Sequence, residues 1–227
     1  MINMINCDLY TKKKLNIGVL DALIIVDMQN DFMPGGNLPI EDGSLLVDDI
    51  NQLSEIFRKK GSKIFITQDW HPINHKSFAS QHKGKLPGDI FQSEGIGPVL
   101  WPDHCIQGSE GAKFHKNLDI SHANAIIKKG INPLVDSYSG FFENDKKSKT
   151  ELDFRLKSYN INRIFICGLA LDYCCYYTAI DGVNLGYEVF FLIDLTKGID
   201  NPSGSIIESL LNMINKEVKF ANKSSLN

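Results

Sequence analysis

An α/β fold with a doubly wound, mostly parallel β-sheet and helices on both faces, a three-layer sandwich, is what this sequence predicts. Three observations predict it. Short apolar runs of strand length alternate along the chain with segments of helical spacing. Several of the runs are apolar throughout, as strands buried on both faces are. Charged or reactive residues stand at their carboxyl ends, which is where open parallel sheets bind ligands. With 227 residues, 43% of them hydrophobic, the chain is long enough for one such domain, 1–227, to bury a sizeable core.

Residues 1–20 lack periodicity and are expected to be an N-terminal extension, part strand and part loop. Residues 22–27 (ALIIVD) are a continuous apolar run closed by Asp27, the pattern of a buried parallel strand. A loop punctuated by Pro34, Gly35, Gly36 and Pro39 follows. Residues 44–60 put Leu46, Ile50, Leu53 and Phe57 at helical spacing, and Gly61 suits the position just past the helix end. Residues 63–67 are the second strand, running into Gln68 and Asp69. Residues 70–122 carry His, Pro, Gly, Trp and Asn with little periodicity. A stretch this long without elements is functional or disordered, and Trp70 and Trp101 argue against disorder.

Residues 123–129 are the third strand, ending at Lys129, and a loop spans 130–149. A short helix is expected over 150–159 and the fourth strand over 164–167. A tight turn, 168–171, then leads to a helix from Tyr173 to Leu185 with Asp172 as its N-cap. A fifth strand (188–193), a helix (203–215) and a short strand (217–220) complete the chain. No internal repeat and no interdomain linker interrupts it.

A net charge of −3 without a basic stripe excludes an electrostatic footprint for nucleic acid. The apolar runs are too short to span a bilayer, so no membrane partner is expected, and no signal-peptide h-region opens the chain. Five irregularly spaced cysteines argue against a disulfide framework and for a reducing, cytoplasmic setting.

Asp27, Asp69, Lys129 and the turn carrying Cys174 all fall at carboxyl ends of predicted strands. This convergence points to an enzyme. Cys174 sits in a first helical turn, where the helix dipole favours a thiolate. Lys129 could lower its pKa further, and Asp27 could accept and return its proton. Asp69 and His71, two residues apart, project to the same side of an extended segment, and His104 could close a metal site with them. His75 is a further candidate, either a ligand or a neighbour of the ligands. Each residue also has an ordinary reading: a buried small hydrophobe for Cys174, strand-end surface charges for Asp27 and Lys129, and chance for Asp-x-His. His82, His115 and His122 are expected at the surface. Strand alternation alone leaves Lys128 and Lys129 equivalent.

Five segments in order, IIVDMQNDFMPGG (24–36), TQDWHPINHKSF (67–78), WPDHCIQG (101–108), KKGINPLVDSYSGFF (128–142) and ICGLALDYCCYYTA (166–179), resemble the nicotinamidases (pyrazinamidases) of the isochorismatase-like cysteine hydrolase superfamily. The match covers the chain from about Ala22 onward. The resemblance implies an amide hydrolase that converts nicotinamide to nicotinate and ammonia, cleaves pyrazinamide too, and works through a cysteine thioester in NAD salvage. It implies an Asp27, Lys129 and Cys174 triad and one divalent metal, zinc ahead of iron and manganese, on Asp69, His71 and His104. Phe32, Trp101, Tyr138 and Leu169 would bind the substrate. The amides of Ala170 and Cys174 would form the oxyanion hole, and the Leu169–Ala170 peptide would be cis. A homo-oligomer is compatible with it.

Two departures stand out: Tyr173 where several relatives carry His, and Cys175 directly after Cys174. The family's Asp-x-Cys and Lys-Gly patterns select Cys174 and Lys129. Rival readings are a metal-free hydrolase of N-carbamoyl or ureido compounds, a metal-activated-water hydrolase, and a non-catalytic flavodoxin-like binding module.

Overall fold

A computed structural model describes residues 14–227. Residues 1–13 of the expected N-terminal extension lie outside the described residues, and within the remainder Leu15 bridges to Leu226. Among the described residues six strands form one sheet: β1 (Asp21–Val26), β2 (Lys63–Asp69), β3 (Ala125–Lys129), β4 (Arg163–Leu169), β5 (Glu188–Lys197) and β6 (Lys219–Ala221). Their order is β3-β2-β1-β4-β5-β6, and every pairing is parallel. The chain steps from β1 to one edge, then returns to β4 and steps to the other. The winding reverses between β1 and β4, which opens a crevice at their carboxyl ends. All six residues of β1 are buried, which explains its lack of polar alternation.

The helices are α1 (Val47–Lys59), α2 (Leu152–Ser158), α3 (Tyr176–Asn184) and α4 (Ser205–Asn215). Helix α1 buries Ile50, Leu53 and Phe57 as their spacing predicts, and it packs on β1 and β2. It starts later than expected because Gly43–Leu46 form a 3-10 turn. Gly61 ends it at φ +73, where the Gly61 amide bonds Arg58 O and the Ser62 amide bonds Phe57 O, both at 3.0 Å. This left-handed closure satisfies carbonyls that the helix end would otherwise leave open. Helix α3 packs on β4 and β5. Phe165 of β4 joins the layers, with Phe57 edge-on at 5.3 Å and Phe190 stacked at 4.7 Å.

Strand β5 runs past its expected end at residue 193. Ile166 pairs with Phe191 but Gly168 with Thr196, so β5 bulges where Asp194 and Thr196 break the apolar run. The extension carries the chain to the mouth of the crevice. Within 70–122 the helical structure is a single 3-10 turn, Ala79–Gln81. Backbone hydrogen bonds organise the segment instead: His71 N to Cys105 O (3.0 Å), Gln107 N to His71 O (2.8 Å) and Trp101 N to Ser77 O (2.8 Å). They lay residues 101–107 beside 71–79 and bring His104 next to His71.

Candidate active site

Parallel register puts Lys129 at the end of β3 directly beside Asp69 at the end of β2. Lys128 and Lys129 project to opposite faces. Lys128 is exposed over the Trp70 ring, whereas Lys129 is fully buried. Lys129 Nζ lies 2.9 Å from Asp27 Oδ2, 2.5 Å from Asp69 Oδ1, 2.9 Å from Ser137 O and 3.3 Å from Cys174 Sγ. One ammonium therefore gathers both acids and the thiol. Asp27 turns out of β1 at φ +47, a region Asp enters more readily than most residues. Thr67 of β2 orients it: its hydroxyl donates to Asp27 Oδ1 (2.6 Å) and accepts from the Asp27 amide (3.2 Å). Asp27 Oδ2 touches Lys129 as a charge but receives no directed hydrogen bond, so it stays open to a proton.

Burial raises the Asp27 pKa against the pull of Lys129. Burial also pushes the Cys174 thiol well up, with Lys129 opposing and the two carboxylates adding to the rise. Lys129 stays charged, because Asp27, Asp69 and Cys174 together outweigh the cost of its burial. The expected pull of Lys129 on the thiol is present, but desolvation exceeds it. Burial and the two carboxylates thus work against the thiolate that the helix dipole and Lys129 favour.

Cys174 lies in a π-helical turn, Leu171–Cys175, that leads into α3. Asp172 is not the expected N-cap. It lies inside the turn, and its carboxylate accepts from the Ile199 and Asp200 amides, both at 2.9 Å, and from the Ser205 hydroxyl at 2.5 Å. It ties the segment after β5 to the cysteine turn. The Tyr173 and Cys175 amides close on Ala170 O (3.2 and 3.0 Å), with the Cys174 amide between them. The Leu169–Ala170 peptide is cis. Cys174 and Ala170 line the pocket, whereas Cys175 is fully buried and does not. Leu169 also departs from expectation. Ala170 faces the pocket, while Leu169 packs toward Gly43.

Asp69 faces two ways. Its Oδ1 meets Lys129, and its Oδ2 lies 3.7 Å from His71 Nε2 and 4.0 Å from His104 Nε2. These donor atoms all lie within 4.8 Å of one another on buried side chains. His71 Nδ1 is 2.9 Å from Gly130 O, and His104 Nδ1 is 2.8 Å from Pro102 O. A carbonyl only accepts, so each Nδ1 carries the proton and each Nε2 offers a lone pair. Burial, with His71 adding to it, lowers the His104 pKa to about 4 and keeps that ring neutral. Against the cost of its burial, the neighbouring Asp69 raises the His71 pKa. One carboxylate and two imidazoles oriented by their Nδ1 bonds fit a divalent transition metal. Gly130 has φ +65, and a Cβ there would stand 2.3 Å from the His71 ring.

His75 does not reach this corner. Its Nδ1 meets Ser77 Oγ at 2.7 Å, its Nε2 meets Val135 O at 3.2 Å, and its ring packs on His71. His82, His115 and His122 are half-buried and take no part. The sequence assigns Gln29 no role, yet it holds Asp69. Its Oε1 accepts from the Asp69 amide and its Nε2 donates to Asp69 O, both at 2.8 Å.

Between the two clusters lies a narrow pocket with about 340 Å³ of empty space, open to solvent at its mouth. Phe32, Trp101 and Tyr138 line it, as do Leu38, Tyr173 and Ile199. Trp101 Nε1 donates to the Tyr138 hydroxyl (3.1 Å), which donates to Gly97 O (3.0 Å). Tyr173 meets Trp101 edge-on at 4.8 Å, and its hydroxyl donates to Asn201 O. The result is a flat slot with aromatic walls. Asp136 also lines it; it lies in a segment that carries the resemblance, but the sequence assigns it no role.

Residues 21–205 match the isochorismatase domain family. The nicotinamidase of Escherichia coli (strain K12) is 45% identical over 179 residues, covering 79% of this chain and 84% of that protein. A solved nicotinamidase/pyrazinamidase of Acinetobacter baumanii superposes with a TM-score of 0.86 at 40% identity, covering 90% of this chain and 96% of its own. The pyrazinamidase of Pyrococcus horikoshii, solved in complex with zinc, superposes with a TM-score of 0.72 at 36% identity, covering 89% and 98%. The chain belongs to the isochorismatase domain family, among its nicotinamidase-type amide hydrolases.

Proposed function

We propose that this chain hydrolyses nicotinamide to nicotinate and ammonia, and pyrazinamide likewise, through a thioester on Cys174. The observation that carries this reading is Lys129, whose Nζ touches Cys174, Asp27 and Asp69 at once. As Cys174 Sγ attacks the amide carbon, Asp27 takes its proton and Lys129 compensates the negative charge that forms. The amides of Ala170 and Cys174 receive the oxyanion, at roughly 3 kcal/mol per donor. Asp27 passes the proton to the departing ammonia. It then deprotonates the water that resolves the thioester. The raised pKa of Asp27 suits a group that must both take and return a proton near neutrality.

Asp69, His71 and His104 would hold one divalent ion (zinc, iron or manganese), which when bound offers an open position to the pyridine nitrogen. Phe32, Trp101 and Tyr138 clamp the ring and turn its carboxamide toward Cys174. On this reading the enzyme works in the cytoplasm and recovers NAD breakdown products. The test is ammonia release from nicotinamide by wild type and by Cys174→Ala, with metal content measured on the same samples. Release at the native rate by Cys174→Ala overturns the proposal.

A further inference from the structure

Asp136 has no role in the chemistry above, yet it is placed as if it had one. It is 2% exposed and lines the pocket. Its Oδ1 accepts from the Ser137 amide at 2.9 Å, and its Oδ2 has no partner. A buried carboxylate oxygen without a donor is costly, and such atoms mark a missing water, ion or ligand. The backbone around it is pinned. Its amide donates to Gly95 O (2.8 Å), and its carbonyl accepts from the Asn144 amide (2.7 Å).

The side chain lines the same pocket as Asp69, His71 and His104. The charges that bear most on it are those of His71, Asp69 and His104. It stands outside the compact donor set formed by those three residues. That set is short of negative charge, because Asp69 shares its own with Lys129. A divalent cation entering there meets one carboxylate already engaged by an ammonium. Asp136 is the other buried carboxylate facing the same space.

Building on the proposed metal centre, we propose that Asp136 is an outer carboxylate of that centre. Its Oδ2 accepts a hydrogen bond from the hydration that remains on the ion, and so tightens metal binding without bonding to the metal. It is a positioning residue and takes no proton in the reaction.

The test uses the full chain, depleted of metal and titrated with Zn²⁺ against a chromophoric chelator. Asp136→Asn keeps the shape and the bond from the Ser137 amide, but presents an N–H where the acceptor was. Zinc binding is expected to weaken about 10- to 100-fold. Thermal unfolding separates this from a structural role. Without metal, Asp136→Asn should unfold at or above the wild-type temperature, since an unpaired buried charge is gone, while zinc should raise its Tm less. A lower metal-free Tm with zinc affinity within about two-fold of wild type overturns the assignment. Asp136→Ser serves the same comparison if the Asn variant does not fold, and failure of both to fold also counts against it. Wild type that binds no zinc overturns the metal centre itself, whereas tight wild-type binding unchanged by Asp136→Asn overturns the role of Asp136 alone.

Discussion

The proposed nucleophile half and the proposed metal half of this site share Asp69 but are built by different means. Asp27 and Lys129 stand on or next to strand ends, and Cys174 stands in the turn that opens α3. Sheet register sets their spacing. His71 and His104 stand in a long segment with almost no regular structure, and backbone carbonyls and Gln29 hold the metal half together. A half built on the sheet is rigid because the core is rigid. A half built on loops depends on each buried hydrogen bond being made. The two halves should therefore fail in different ways, one through bond making and the other through ring orientation.

The largest effect should come from Cys174→Ala. Ammonia release should fall by roughly 10⁴-fold or more while bound metal is unchanged, a result that metal analysis and an ammonia assay check together. Loss of metal in that variant would break the separation. Asp27→Asn should cost about 10²- to 10⁴-fold in kcat. The pH profile sharpens this. Burial raises the Asp27 pKa above the ordinary 3.8, so the carboxyl keeps its proton to higher pH. In the proposed mechanism the base form is the active one, so kcat/KM should fall as pH drops through that raised value, and Asp27→Asn should lack this limb.

His104→Ala should lower kcat/KM about 10- to 100-fold, mainly through KM. Iodoacetamide should label Cys174 in that variant as it does in wild type. Labelling that disappears with His104 would mean the halves are not separable. The smallest effect belongs to the slot wall. Tyr138→Phe removes a hydroxyl that links Trp101 to Gly97, and one such bond at about 1 kcal/mol predicts roughly a five-fold rise in KM.

The same contrast governs what the sequence reveals. The strand-borne half was legible because apolar runs locate strands and parallel sheets gather their carboxyl ends. Lys129 and Asp27 could be placed together on that basis, and the family's Lys-Gly pattern chose between Lys128 and Lys129. His71 and His104 could be nominated by residue type, but no periodicity says that 101–107 lies beside 71–79. That pairing rests on hydrogen bonds between segments with no local pattern. The roles of Gln29 and Asp136 go unread for the same reason, although both lie in the segments that carry the resemblance, since an amide or an acid in a loop is ordinary until its partners are known. Asp172 misled because a polar residue before a helix reads as a cap, whereas its carboxylate serves residues far ahead in the chain. The bulge in β5 was missed because its polar residues mimic a strand end.

Gly130 carries a consequence beyond its own bond to His71. Lys129 reaches the sulfur, and the carbonyl of the next residue accepts the hydrogen bond of the His71 imidazole, with room at its Cα for nothing larger than hydrogen. A methyl group at 130 would evict the His71 ring while leaving ammonium, acid and thiol in place. Efforts to retune which heterocycles this enzyme accepts have the aromatic walls to vary, but one backbone step behind the lysine is closed to them.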